Sequence, residues 1–335
     1  MKKIFCLLSA AVICIVMLGG CEMRGKYSYY IFDSFDTVTT VIGYESSEQK
    51  FNQNCEKIKE RLEYYHKLYS IYDDVDGLIN LKAVNEEAAT APVKTDSELT
   101  ELLLFCIKAY ESTGGEVNVA MGSVLSIWHE YREKGEALPP MAELQAAAEH
   151  TDIYDMVIDS EEGTVFFTDK MLKLDVGAVA KGFAAERIGE WMQSEGMVDY
   201  TISIGGNVCA LGDKTWTAGI ENPDQSEGAE PYAEVLKLKS ASLVTSGSYQ
   251  RFYTVEGKNY HHIIDPDTLM PAEYFSSVSI IHESSAMADV LSTALFNMSF
   301  ENGLDIIKST EGAEAMWITR SGEKLYSDGF KNYCK

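Results

Sequence analysis

LDVGAVAKGFAAE, residues Leu174–Glu186, reads as an apolar strand ending at Asp175, a turn bracketed by Gly177 and Gly182 that carries Lys181, and a helix opening at Phe183. Free backbone N–H groups, a helix N-terminus and an ammonium gathered in one place suit an anion. The spacing is neither that of a Walker A loop nor GxGxxG, so the common phosphate loops are excluded.

Downstream of this segment, and just before it, short strands dominate: Met156–Asp159, Val165–Thr168, Tyr200–Ile204, Trp216–Ile220, Ala233–Leu238, a strand around Val244, Arg251–Val255, Ser277–Ile281 and Ala315–Thr319. Gly163, Gly257 and Gly322 fit the turns between paired strands. Helices are expected at Phe183–Ser194, Ser285–Asn297 and near Leu304–Lys308. Upstream, Val38–Val41 is a strand, and Asn52–Tyr69 is a helix with Cys55, Ile58, Leu62, Tyr65 and Leu68 at helical intervals. Thr95 and Glu98 form a capping box before a helix with Leu99, Leu102, Leu103, Cys106, Ile107 and Tyr110 on one stripe. Pro139-Pro140 introduces a further helix through His150. Helices mixed with many short strands, and no clean linker, predict an α+β chain folded as one globular unit, mostly antiparallel sheets packed with helices.

At the N-terminus, Lys2 and Lys3 precede the apolar run Ile4–Leu18, and Leu18-Gly19-Gly20-Cys21 follows. The run is short for a membrane span. The whole resembles a bacterial lipoprotein signal, with residues 1–20 removed, Cys21 carrying palmitate-type acyl chains and residues 21–30 forming a tether. Acyl chains anchor a protein without a transmembrane helix, which places the chain on the outer face of the cytoplasmic membrane. The remaining 315 residues hold 26 basic against 52 acidic side chains. Nucleic acid is therefore an unsuitable partner, and an anionic ligand needs a metal ion or focused positive groups. Cys55, Cys106, Cys209 and Cys334 are widely spaced, with no CxxC and no zinc-type pairing. Cys55 and Cys106 belong to helical apolar faces.

Four constellations carry chemistry. In the glycine turn, Asp175 can accept from a ribose hydroxyl or a heterocycle N–H, and Lys181 can offset phosphate charge. The bland alternative is a strand–helix turn with a surface lysine. In Tyr260-His261-His262-Ile263-Ile264-Asp265-Pro266, the two histidines of an extended segment point to opposite faces, so they do not chelate one ion together. One of them can act as a proton acceptor near neutral pH, or simply satisfy a turn carbonyl. In Ala286–Ala294, Asp289 and Thr293 are four apart, so both oxygens leave one helix face. Hard oxygen ligands suit Mg²⁺ with waters and phosphate oxygens; a helix N-terminal Asp and a back-bonding Thr are the plain alternative. Ser203-Ile204-Gly205-Gly206-Asn207 and Thr245-Ser246-Gly247-Ser248 are small-residue turns that let a ligand approach the backbone.

In this order, the four segments resemble the ApbE family of FAD:protein FMN transferases, from about Phe32 to Leu325. DVGAVAKGFAAE, SIGGN, HHIIDP and ADVLSTALF carry the resemblance. It implies an ApbE-like, T-fold-related fold over residues 31–330. It also implies an enzyme that splits FAD, releases AMP and attaches FMN through a phosphoester to a Ser or Thr of an exported or membrane-bound flavoprotein. Further, it implies Mg²⁺ on the Ala178 carbonyl, Asp289 and Thr293, flavin and nucleotide contacts from Asp175, Lys181, Tyr72 and Ile264, and a histidine at His262. Two segments depart from the family. Phe35-Asp36-Thr37 stands where the family has Met-Gly-Thr; Phe35 can still cover a flavin ring. Gly115-Glu116-Val117-Asn118 replaces Gly-x-Phe-Asp, with Glu116, Val117 and Asn118 in the contact positions.

On this reading His262 takes the acceptor hydroxyl's proton, while Lys181 and Arg251 add fixed positive charge. The same site with water as acceptor would be an Mg²⁺-dependent FAD pyrophosphatase; without a base it would be a flavin-binding lipoprotein. The chain has no Asp-Gly-x-Thr acceptor of its own, so the acceptor is another protein.

Overall fold

The structure, a computed structural model, describes residues 24–335. Its first half runs β1 (Gly25–Ser34), β2 (Thr37–Glu45), α1 (Glu48–Tyr69), α2 (Leu81–Glu87), β3 (Val93–Lys94), α3 (Ser97–Ser112), α4 (Gly122–Lys134) and α5 (Met141–Ala148). Then follow β4 (Met156–Asp159), β5 (Thr164–Phe167), α6 (Ala180–Ser194), β6 (Tyr200–Ile204), β7 (Asn207–Ala210), β8 (Trp216–Glu221) and β9 (Tyr232–Leu238). The chain closes with β10 (Ala241–Gly247), β11 (Phe252–Val255), β12 (Lys258–His261), β13 (Phe275–His282), α7 (Ser285–Phe296), α8 (Phe300–Ser309), β14 (Glu314–Thr319) and β15 (Lys324–Tyr326).

Strand alternation divides the core. Val278, Ile280, Ala315 and Trp317 face one side of the sheet, where α1, α6 and α7 pack. Ile281, Met316 and Ile318 face the other, beneath Trp216, Ile220, Leu236 and Leu238 of the β8–β9 hairpin. Both faces of β13 and β14 are thereby apolar, as period-two side chains between two layers require. The sheet itself is β1-β2-β6-β7-β10-β13-β14-β15, with antiparallel pairing throughout. A third cluster joins Val124 and Trp128 of α4 and Leu144 of α5 to Tyr253, Ile264 and Leu269. The expected α+β unit of antiparallel sheets and helices is what forms, and Cys55 and Cys106 are buried in its core. No described helix is long and apolar enough to cross a membrane. The signal peptide and Cys21 lie outside the described residues.

Four local expectations are corrected. Residues Gly25–Tyr30, expected as tether, belong to β1. Their alternation is the reason: Tyr27 packs its ring 5.6 Å from Phe51, and Tyr29 donates to Glu56 at 2.6 Å. The apolar run ending at Asp175 joins no sheet. Asn85 serves Leu174 as a strand would, its Oδ1 accepting from the Leu174 N–H at 2.8 Å and its Nδ2 donating to the Leu174 carbonyl at 2.9 Å. The next helix opens at Ala180 rather than Phe183, which puts Lys181 and Gly182 in its first turn. Asp96, not Thr95, caps α3. Glu98 turns its carboxylate to Arg187 at 3.1 Å instead of reaching back to close a capping box.

Candidate active site

The opening of α6 meets α7 at one glycine. The Gly182 N–H is a first-turn donor without an intrahelical acceptor; it donates to Asp289 Oδ2 at 2.7 Å. A Cβ on Gly182 would lie 2.4 Å from Asp289 Cβ and 2.5 Å from the Ser285 carbonyl oxygen, so the two helices touch through the missing side chain. Replacing Gly182 with alanine is therefore expected to destabilise the protein by about 1–3 kcal/mol, the usual cost of overpacking. A thermal melt checks this; an unchanged midpoint would show that the helices separate freely.

Asp289 is 4% exposed, and burial raises its pKa; Lys181, the Gly182 N–H and the Asn207 amide oppose that rise. Asn207 Nδ2 is itself buried without a hydrogen-bond partner, although it faces Asp289 closely enough to act on it. Thr293, one turn on, lies 3.4 Å from Ser246 Oγ, which also contacts Ser292 Oγ at 2.8 Å. The amide four residues beyond Ala178 is the one that goes to Asp289, which leaves the Ala178 carbonyl without that partner. Among the described residues no three His, Cys, Asp or Glu side chains gather as a metal site. The set here is instead a buried carboxylate, a hydroxyl and a carbonyl. A carboxylate held out of water calls for a cation, and this donor set fits Mg²⁺.

His261 and His262 face opposite ways. His261 is buried, donates from Nε2 to the Ala272 carbonyl at 2.8 Å and meets Phe296 edge-on, which makes it structural. His262 is open to solvent, and both its backbone N–H and its Nδ1–H reach the Arg251 carbonyl at 3.2 Å. That bond fixes the tautomer and leaves Nε2 as the free acceptor. Crowding by the surrounding protein lowers the His262 pKa, and the positive charges of Lys181 and Arg251 lower it further. The imidazole is neutral at physiological pH, as a base must be.

Arg251 links this group to the β1–β2 turn by donating to the Asp36 carbonyl at 3.3 Å. Phe35 and Asp36 occupy that turn with φ of 54° and 51°. Left-handed backbone favours glycine, and at Asp36 an Asp tolerates the conformation better than most side chains. The Phe35 N–H donates to His66 Nδ1 at 3.1 Å, and the two rings meet edge-on. Across the cleft, Tyr72 and His129 pair, with Asp175 close enough to act on both. Asp175 Oδ1 accepts from the Gly177 N–H at 2.8 Å, which closes the turn before α6. Sequence reasoning missed His129 and Arg132, which line a cavity with Trp128, Tyr253, His262 and Ile264.

Glu116, Val117, Asn118 and Ile264 contribute mainly backbone. Val117 and Ile264 are buried, and Asn118 spends its side chain on the Ala120 N–H and the Thr151 carbonyl. Asn297 at the end of α7 donates to the Glu116 and Ile264 carbonyls at 3.3 and 3.4 Å, tying the two segments together. Glu116 itself is partly buried, with a pKa raised to about 7 by burial and by Asp265 and Asp267. Because the folded value lies above the unfolded one, the folded state holds the extra proton and loses stability as pH rises from about 4.5 to 7. Glu116→Gln should remove that decline, read as urea midpoints at pH 5 and 7.5; an equal decline in the variant would assign it elsewhere.

A profile of the ApbE family matches residues 35–317. FAD:protein FMN transferases of Treponema pallidum (strain Nichols) and Klebsiella pneumoniae (strain 342) are 33% identical over 256 residues and 28% over 245. These alignments cover 71% and 73% of this chain and 70% and 76% of the relatives. The ApbE protein of Thermotoga maritima superposes with a TM-score of 0.82 at 27% identity, over 93% of this chain and 100% of that one. Flavin transferase ApbE from Vibrio cholerae shares the fold, with a TM-score of 0.76 at 21% identity over 92% of this chain and 100% of its own.

Proposed function

The chain belongs to the ApbE family, and on that premise we propose that this cleft transfers FMN from FAD to a Ser or Thr hydroxyl of an acceptor flavoprotein and releases AMP. The observation that carries the reading is the junction of α6 and α7, where Gly182 binds Asp289 while Lys181 acts on both Asp289 and His262. One place therefore holds a base, a fixed cation and a buried carboxylate, the parts that phosphoryl transfer to a weak nucleophile needs.

Ala178, Asp289 and Thr293 would hold Mg²⁺. When bound, the ion supplies charge neutralisation at the pyrophosphate. The protein's own groups do the rest. Asp175 and the backbone of Glu116–Asn118 and Ile264 hold the nucleotide, and Phe35 and Tyr72 frame the flavin. Neutral His262 takes the acceptor hydroxyl's proton at Nε2 as that oxygen bonds to the FMN phosphorus. The P–O bond to AMP breaks, and Lys181 and Arg251 offset the charge on the departing phosphate. Water in place of the hydroxyl gives free FMN and AMP, the pyrophosphatase outcome, and solvent access to His262 favours that side reaction when acceptor is absent.

The partners this reading calls for are FAD and, as a proposal, an exported or membrane-bound acceptor flavoprotein. Acylation of Cys21 would hold the enzyme on the outer face of the membrane beside it, and loss of membrane association in Cys21→Ser tests that anchor. The transfer itself is tested by incubating the mature protein with FAD, Mg²⁺ and a threonine-bearing acceptor domain, then weighing the acceptor by intact-mass spectrometry. A gain of one FMN phosphoryl group supports the reading; free FMN alone favours the pyrophosphatase, and unreacted FAD refutes both.

A further inference from the structure

Tyr72 stands on the loop between α1 and α2 with 61% of its surface exposed, yet its ring is not free. Its hydroxyl lies 2.7 Å from His129 Nδ1, and the two rings stack with centroids 6.0 Å apart and planes inclined by 22°. His129 sits on α4, an element that Trp128 anchors in the core by donating from Nε1 to the Leu269 carbonyl at 3.0 Å. A core-anchored helix thus meets a loop aromatic. We propose that His129 is a positioning residue for the transfer reaction: its hydrogen bond and stacking hold the Tyr72 ring in the orientation against which the flavin packs.

The pair is suited to this. Crowding by the surrounding protein and the neighbouring Asp175 carboxylate raise the Tyr72 pKa, so the phenol keeps its proton and donates it. Burial lowers the His129 pKa, so an unprotonated ring nitrogen is present to accept. Both partners are neutral, and the bond carries no net charge toward the anionic substrate. An exposed aromatic side chain without such a tie samples several rotamers, and freezing it on binding weakens affinity. With the tie, that ordering is complete before FAD arrives. His129 also lines the cavity that holds His262 and Ile264, so the positioning is local to the reacting end of the cleft.

This inference rests on the transferase reading, and its test separates the two. His129→Phe keeps an aromatic ring but cannot accept the hydrogen bond, and Tyr72→Phe removes the donor. Each single variant and the double variant are assayed for KM and kcat with FAD, and for quenching of bound-flavin fluorescence. Each single change should raise KM for FAD about tenfold and reduce the quenching, with kcat within twofold of the parent. Because His129 acts through the Tyr72 hydroxyl, the double variant should be no worse than either single one. KM within twofold of the parent in His129→Phe, or additive losses in the double variant, would overturn the proposal. Failure of the unmodified protein to transfer FMN would instead overturn the transferase reading.

Discussion

Asp289→Asn is expected to lower FMN transfer at least ~100-fold, since even the outer partners of metal ligands are commonly worth 10–100-fold. The substitution is chosen because asparagine keeps an oxygen for the Gly182 N–H, which alanine would leave unpaired inside the protein at a cost of about 1–3 kcal/mol. The variant should therefore melt near the parent while losing turnover. Raising the Mg²⁺ concentration should recover part of the rate, because a neutral amide oxygen still binds the ion, only more weakly. Transfer at the parental rate in ordinary Mg²⁺ would remove Asp289 from the metal site and leave it as a helix-joining carboxylate.

His262→Ala should lose about 10²–10⁴-fold in transfer rate, the range general-base assistance contributes, while FAD binding measured by flavin fluorescence stays within twofold. The pH dependence follows from the same environment. The folded-state pKa of His262 lies below the ordinary imidazole value, so the ring is already fully neutral at pH 6. Between pH 8 and 6 the parent should lose no rate through protonation of this group, whereas a histidine of ordinary pKa would lose most of its base form across that window. A parental rate that falls steeply toward pH 6, and in the same way with His262→Ala, would place the titrating base elsewhere.

The sequence made the pieces of the site legible but not their joints. Asp289 and Thr293 could be placed on one helix face by spacing alone, and the opposed faces of His261 and His262 follow from extended backbone. Nothing local marks Gly182 as the point where α7 docks, because its close approach is to a residue more than a hundred positions away; periodicity reports a helix's own face, not its neighbour. His129 and Arg132 escaped because α4 begins without a capping side chain, its N-cap being Met121. The first strand escaped because Arg24, Gly25 and Lys26 read as a polar tether, whereas the alternation of Tyr27, Tyr29 and Ile31 decides its state. The apolar run before Asp175 looks the same whether it joins a sheet or, as here, pairs through the Asn85 side chain at Leu174 and the backbone of Val119 and Gly122 on either side.

One reaction mixture tests the central claim most directly: mature protein, FAD, Mg²⁺ and an acceptor flavoprotein domain, with AMP and acceptor-bound FMN both quantified over time. A phosphoryl transferase predicts that the two rise together in a one-to-one ratio and that both stop when the acceptor hydroxyl is replaced by a hydrogen, apart from slow hydrolysis. AMP released at full rate with no FMN on the acceptor would contradict that account and identify water as the physiological nucleophile.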